Sequence, residues 1–288
     1  MSNRKLIIVL GPTAVGKTDY SIELALKHGS PVISCDSRQI YKEMTIGTAV
    51  PSAAQLSAVQ HYFIHSKSVT DYYTAGLYEA EAIDLINSLF DQGHETLVMT
   101  GGSMFYIDAV CNSLDHIPTA DLSVRADLQA RLEREGIDTF KEDLARLDPE
   151  AYASIDLANS QRVFRAVEIC LSTGKPYSSF KERPTKASRD FKIEKIGLTR
   201  PREALYERIN KRVLQMMDEG LVDEVRGLAQ YRDLTALQTV GYKEIFDFLD
   251  GAASLDEAVD LIQRNTRHYA KRQLTWWRRD PSIRWTEL

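Results

Sequence analysis

Gly11-Pro12-Thr13-Ala14-Val15-Gly16-Lys17-Thr18 decides the fold of this chain. The stretch is a full match to the phosphate-cradling loop, in which two glycines bracket four residues and Lys and Ser or Thr follow. Before it, residues 6–10 read Leu-Ile-Ile-Val-Leu, a short apolar strand with β-branched residues. After it, residues 19–27 have helical spacing, with Ile22, Ala25 and Leu26 expected on one face. Strand, glycine-bounded turn and helix therefore follow in the order the loop requires. Backbone N–H groups of the loop and of the helix N-terminus offer partial positive charge to an anion. Lys17 adds a full charge, and the Thr18 hydroxyl is suited to a phosphate-bound Mg²⁺. The stretch binds a diphosphate or triphosphate; it does not say which bond is broken.

Working outward, residues 31–35 and 96–100 read as further strands. Residues 78–90 between them read as an amphipathic helix with Ala82, Ile83, Ile86 and Leu89 among its apolar positions. Strands alternating with helices imply βαβ units, hence an α/β protein with a P-loop NTPase-like parallel sheet covered on both faces. From residue 112 to about 186 the texture changes to charged helical segments, such as 124–135 and 138–147, without a strand-like run. Residues 192–198 then alternate like a strand, with Pro184 and Lys186 in the return linker. Helical stretches follow at 202–219, 221–230, 242–249 and 255–279. The expected organisation is a core from 1–111, a helical insertion over 112–186, and the rest of the core with C-terminal helices over 187–288.

With 288 residues and 43% hydrophobic composition, the chain can bury the core of one large domain plus a smaller one. A formal net charge of −5 argues against a basic nucleic-acid coat. Cys35, Cys111 and Cys170 show no paired or metal-ligand spacing and read as reduced, buried thiols. No run approaches the roughly 18 apolar residues of a membrane span. The five apolar residues after Arg4 and Lys5 are too few for a signal-peptide core. A soluble, cytoplasmic protein is expected. The charge is uneven, however. Between residues 261 and 279 lie Arg264, Arg267, Lys271, Arg272, Arg278 and Arg279, with no Asp or Glu, interleaved with His268, Tyr269, Trp276 and Trp277. Such a stripe suits phosphates and stacking bases, or forms a solvated helix face whose tryptophans pack inward.

The strand at 96–100 ends in Gly101-Gly102 and supplies no acid, whereas the strand at 31–35 runs into Asp36. A carboxylate there, beside the phosphate loop, lies where α/β folds place their ligands. It can ligate metal, act as a general base, or cap a turn. Gln39 offers the donor and acceptor that read an adenine edge, or faces solvent. Arg162 and Arg165, one helical turn apart, serve an RNA or surface ion pairs.

Together these segments resemble the tRNA dimethylallyltransferases, which attach an isopentenyl group to an adenosine beside the anticodon. The resemblance rests on residues 11–18, Asp36-Ser37-x-Gln39-x-Tyr41, Ile46-Gly47-Thr48-Ala49 and Gly101-Gly102-Ser103-x-x-Tyr106. It continues in Arg162-x-x-Arg165-Ala166-x-Glu168, Thr173-Gly174-Lys175-Pro176, Leu205-Tyr206-x-Arg208-Ile209 and Met217-x-x-Gly220-Leu221. Gly241-Tyr242-Lys243-Glu244 and residues 266–273, which end in Lys271-Arg272-Gln273, complete it nearly end to end. It implies transfer from dimethylallyl diphosphate to the exocyclic N6 of adenosine 37. The diphosphate would lie on the backbone N–H groups of residues 13–18, with Lys17 and Mg²⁺ neutralising charge, Thr13 on the leaving oxygen and Asp36 taking the proton. For the tRNA anticodon stem-loop it implies contacts from Asp36, Ser37, Arg38, Gln39, Ser103, Arg125, Gln161, Arg162, Val163, Phe164, Arg165, Lys271 and Arg272. A monomer without membrane partner is expected.

Three departures stand out: Val50 where many members carry Lys, Thr45 where many carry an acid, and Ser103 where Thr is common. Rival readings are a small-molecule P-loop kinase, an isopentenyltransferase acting on free adenine nucleotides, and a non-catalytic P-loop RNA-binding module. Neither the kinase nor the free-nucleotide enzyme needs the basic C-terminal stripe.

Overall fold

The computed structural model describes residues 4–113, 117–118, 121–181 and 189–288. The residues read as a return linker, Pro184 and Lys186, lie outside them. Six strands, β1 (Lys5–Leu10), β2 (Val32–Ser34), β3 (His61–Tyr62), β4 (Thr96–Gly101), β5 (Lys192–Thr199) and β6 (Ile283–Glu287), form one sheet in the order β3-β2-β4-β1-β5-β6. Every pairing is parallel; in the centre Leu6 faces Leu97 on one side and Ile193 on the other. Alternation along the strands splits the core in two. Leu6, Ile8, Leu10, Ile33, Leu97 and Met99 pack on one face, and Ile7, Val9, Val32, Val98, Ile196 and Leu198 on the other. Continuous apolar runs are what a sheet covered on both faces requires.

The first helices are α1 (Lys17–His28), α2 (Ala53–Ala58), α3 (Ala75–Asp91) and α4 (Met104–Asn112). In α3, Ala82, Ile86 and Leu89 are buried as expected and Ile83 is partly buried. In α1, Ile22 and Ala25 are buried, but Leu26 is 59% exposed and does not belong to the packed face. Four helices follow, α5 (Leu122–Glu135), α6 (Ile137–Leu147), α7 (Pro149–Ser154) and α8 (Ser160–Thr173), and then α9 (Arg202–Asp218), α10 (Leu221–Gly227), α11 (Tyr242–Leu249) and α12 (Leu255–Trp277).

Two compact units result, Met1–Cys111 with Ser188–Leu288 and, inserted between them, Asn112–Ala187. The inserted unit has its own core, in which Leu128, Phe140, Leu144, Val163 and Phe164 converge from α5, α6 and α8. Two strands of the first unit had no counterpart in the sequence reading, β3 with two residues and β6 at the opposite edge. No helix is long and apolar enough to cross a membrane among the described residues. All three cysteines are free. Burial raises the thiol pKa values of Cys35 and Cys170 and pushes that of Cys111 to about 11, so none is a ready thiolate.

Candidate diphosphate and acceptor site

The functional residues of the first unit gather beyond the C-terminal ends of β1, β2 and β4. The chain leaves β1 toward β2 on one side and returns to β5 on the other, and this reversal of direction opens a crevice at that end of the sheet. Gly11 starts the loop after β1 with φ of +152°, and a Cβ there would sit 2.6 Å from the Leu198 carbonyl oxygen, so only glycine fits. Ala14 (φ +64°) and Gly16 (φ +112°) turn left-handed within the loop, and such turns aim successive N–H groups into a concavity. Outward-facing carbonyls are held by two arginines. Arg208 Nε donates to the Ala14 carbonyl at 2.9 Å and Arg200 Nε to the Val15 carbonyl at 2.8 Å. Because C=O and N–H of one peptide point oppositely, the Gly16 N–H is turned inward.

Lys17 Nζ donates to the carbonyl oxygens of Gly11 (2.8 Å) and Pro12 (3.0 Å), folding its charge across the loop. Burial lowers its pKa to about 8, against the opposing pull of the Asp36 carboxylate, and the Arg212 guanidinium adds to the fall. Asp36 opens the turn after β2. Its Oδ1 accepts the N–H groups of Arg38 (2.9 Å) and Gln39 (3.2 Å), whereas Oδ2 has no hydrogen bond among the described residues. The carboxylate is therefore turn cap and open acceptor at once.

Two cavities meet here. The first, about 500 Å³, is lined by the loop residues Thr13, Ala14, Gly16, Lys17 and Thr18, by Arg208 and Arg212, and by apolar groups including Ile46, Val50 and Met216. The second, about 790 Å³, is lined by Ser37, Arg38, Ser103, Phe105 and Arg272. Thr13, Asp36, Arg212 and Tyr269 border both. A carboxylate with one open oxygen thus stands between a compartment lined by the glycine-bounded loop and two arginines and a roomier one edged by arginine and an exposed aromatic ring.

A sequence model described as IPP transferase matches residues 39–280. The chain belongs to the IPP transferase family. A tRNA dimethylallyltransferase from Bacteroides thetaiotaomicron is 49% identical over 280 residues, covering 97% of this chain and 90% of that protein. Another from Porphyromonas gingivalis is 51% identical over 280 residues, covering 97% and 93%. The crystal structure of the full-length tRNA isopentenylpyrophosphate transferase from Bacillus halodurans has a TM-score of 0.70 to this chain at 38% identity, covering 99% of this chain and 90% of that one.

In this IPP transferase the residues read from the sequence divide into three groups. Thr13, Ala14, Gly16, Lys17, Thr18, Asp36, Ser37, Arg38, Ser103 and Arg272 do converge on the cavities, whereas Gly11, Pro12 and the fully buried Val15 line neither; Lys271 is exposed beside Arg272 on α12. Two loop N–H groups expected to be open are engaged: that of Thr13 donates to Gln273 Oε1 (2.9 Å) and that of Val15 to the Pro12 carbonyl (3.3 Å). Gln39 lines the first cavity, but both its amide hydrogens go to the Thr48 and Ala49 carbonyls (3.0 and 2.8 Å), leaving only an acceptor. The bidentate adenine reading therefore fails for lack of a donor.

The third group lies in the inserted unit. Gln161 and Arg162 are exposed, but Val163 and Phe164 are 0% and 8% exposed in that unit's core, so their side chains pack rather than meet an RNA. Arg125 Nη1 (2.8 Å) and Arg165 Nη1 (2.5 Å) both bind the fully buried Glu168, and Arg165 Nη2 adds the Pro118 carbonyl. The tryptophans pack inward, as expected: Trp277 is buried, and Trp276 Nε1 donates to Asp108 at 3.0 Å. Sequence reasoning missed Arg208 and Arg212 as site residues. Their signal was present, two arginines four apart on an amphipathic helix whose alternate face holds Leu205, Ile209 and Val213. Arg212 has no hydrogen bond or ion pair among the described residues; burial and the neighbouring Arg208 lower its pKa, against the pull of Asp19.

Proposed function

We propose that this chain is a tRNA dimethylallyltransferase that moves the dimethylallyl group of dimethylallyl diphosphate to the N6 of adenosine 37, releasing diphosphate. The observation that carries the reading is the placement of Asp36 and Thr13 on the wall shared by an anion-binding cavity and a second cavity edged by Arg38 and Arg272. Membership of the IPP transferase family and relatives of that name support it. In the reaction the N6 amine attacks the allylic carbon, the bond from that carbon to the diphosphate oxygen breaks, and the amine's proton passes to Asp36 Oδ2. Negative charge grows on the leaving diphosphate, where Lys17, Arg212 and the inward N–H groups are already oriented, so the stabilisation is preorganised. The apolar lining from Ile46, Val50 and Met216 suits the prenyl tail.

Mg²⁺ fits this donor set. Among the described residues no cluster of three His, Cys, Asp or Glu side chains is present, whereas the Thr18 hydroxyl lines the first cavity. Mg²⁺ keeps several waters and takes one or two protein oxygens beside phosphate oxygens. When bound it neutralises charge on the diphosphate. Ser37, Arg38, Ser103, Lys271 and Arg272 are assigned to the RNA. Of the inserted unit, Gln161 and Arg162 are assigned an anticodon-loop contact, because their side chains are exposed. On this reading the enzyme works as a monomer in the cytoplasm.

The test mixes the protein, Mg²⁺, labelled dimethylallyl diphosphate and an unmodified anticodon stem-loop, with AMP and ATP in parallel tubes. Label on the stem-loop is expected, falling by roughly 10² to 10⁴ in Asp36→Asn while RNA binding stays within a few-fold. Label on AMP alone, or turnover of ATP, would overturn the reading.

A further inference from the structure

Gln273 directly follows the exposed pair Lys271 and Arg272 on α12, yet it is 1% exposed. Its Oε1 accepts the Thr13 N–H at 2.9 Å, and its Nε2 donates to the Gly102 carbonyl at 2.8 Å. The Tyr269 hydroxyl, one turn earlier on the same helix, donates to that carbonyl at 3.2 Å. A Cβ on Gly102 would lie 2.7 Å from Gln273 Nε2 and 3.8 Å from Asp36 Oδ2, so the amide packs on bare backbone beside the proposed base.

Thr13 and Gly102 present opposite needs, a donor seeking an acceptor and an acceptor seeking a donor, and a primary amide meets both. The chemistry adds a reason. Gly102 lines the diphosphate cavity, where an uncovered carbonyl oxygen would oppose an anion; Gln273 and Tyr269 cover it. We propose that Gln273 is a positioning residue for prenyl transfer, pinning Thr13 to Gly102 and so setting the diphosphate loop against Asp36 without touching substrate. The inference rests on the reading of the loop as the diphosphate site.

The test compares Gln273→Glu and Gln273→Met in the full chain. At pH 8 the ionised Glu lacks the donor toward Gly102, and both variants are expected to lose about 100-fold in kcat, the scale of a 1 Å misplacement. KM for the stem-loop should move less than about threefold. Burial raises a carboxyl pKa, and a protonated Glu regains one donor and one acceptor. Relative to wild type at each pH, Gln273→Glu should therefore recover kcat and Mg-pyrophosphate affinity as pH falls toward 5.5, and Gln273→Met should not. Parallel pH profiles for Gln273→Glu and wild type, or a Met variant with wild-type kcat and a lowered Tm, would overturn the proposal. Amide exchange at Thr13, followed by NMR without ligand, reads the bond directly. It should quicken in the Met variant, and an unchanged rate sinks the inference even where wild type transfers no prenyl group.

Discussion

Lys17 carries a charge that the fold makes costly and the ligand makes useful. Burial lowers its pKa from 10.5 to about 8. Between those values the unfolded chain binds more protons at this residue, so its penalty on the fold is fully present below pH 8 and is relieved as pH rises toward 10.5. Affinity runs the other way, because only the ammonium form attracts a diphosphate. Mg-pyrophosphate binding, measured calorimetrically from pH 7 to 9.5, should weaken as pH passes 8 beyond what the ligand's own titration gives. Lys17→Arg, whose guanidinium stays charged throughout, supplies that baseline and should flatten the extra fall. Equal slopes for the two proteins would remove Lys17 from the titration. Asp36 makes a different use of its surroundings. One oxygen is tied to the turn by two N–H groups, as the cap reading of the sequence has it, and the other is open, the oxygen to which the proposed reaction gives the proton.

At the level of elements, α10 supplies the clasp that shapes the first cavity's wall. Glu224 Oε2 accepts the N–H groups of Thr45 (3.0 Å) and Ile46 (2.7 Å), and Oε1 accepts that of Gly47 (3.0 Å) and the Tyr242 hydroxyl (2.6 Å). Gly47 packs so tightly that a Cβ would fall 2.5 Å from the Tyr242 ring. The clasped loop in turn holds Gln39 through Thr48 and Ala49. Glu224→Ala should therefore cost about 2 kcal/mol in urea unfolding, since the N–H groups are partly exposed and water replaces part of the loss. Activity at a temperature where the variant is folded should fall as well; an intact kcat would limit the clasp to stability. Periodicity made α1, α3, α9, α11 and α12 and the central strands legible, because each repeats one apolar face over several turns or runs apolar through a doubly covered sheet. It could not expose β3, two residues long, or β6, whose partner β5 is more than eighty residues away. The site was legible where a local motif fixes it, at residues 11–18 and 36–38. It was hidden where distant side chains complete it: Gln273 meets Thr13 across 260 residues, and Arg208 serves Ala14 across 194. Val163 and Phe164 shared a motif with the exposed Arg162 and the half-buried Arg165, and only the inserted unit's packing separates core letters from surface ones.

Over the whole molecule, an acidic chain of net charge −5 concentrates basic side chains on one long helix. Arg264, Lys271, Arg272, Arg278 and Arg279 are exposed along α12 and just beyond it, and Arg267 is tied to Asn210 at 2.6 Å. The same helix turns Gln273 and Tyr269 inward to the diphosphate loop, so one rigid element carries both the proposed phosphate contacts and the groups that brace the chemistry. The negative remainder disfavours wrapping RNA at random, and attraction is confined to the stripe. Binding of the anticodon stem-loop should then weaken linearly in log Kd against log salt. Each neutralised phosphate contributes about 0.7 to 0.9 to the slope, the lower figure for single-stranded segments and the higher for duplex. Replacing Lys271 and Arg272 together by Ala should reduce the slope by about 1.5 and weaken all stem-loops alike, because phosphate contacts position without specifying sequence. The same double variant should keep wild-type affinity for Mg-pyrophosphate, whose loop and arginines it leaves intact. Fluorescence anisotropy from 50 to 300 mM KCl decides the matter: an unchanged slope takes Lys271 and Arg272 off the RNA, and a loss confined to one stem-loop sequence makes them readers of bases rather than of backbone.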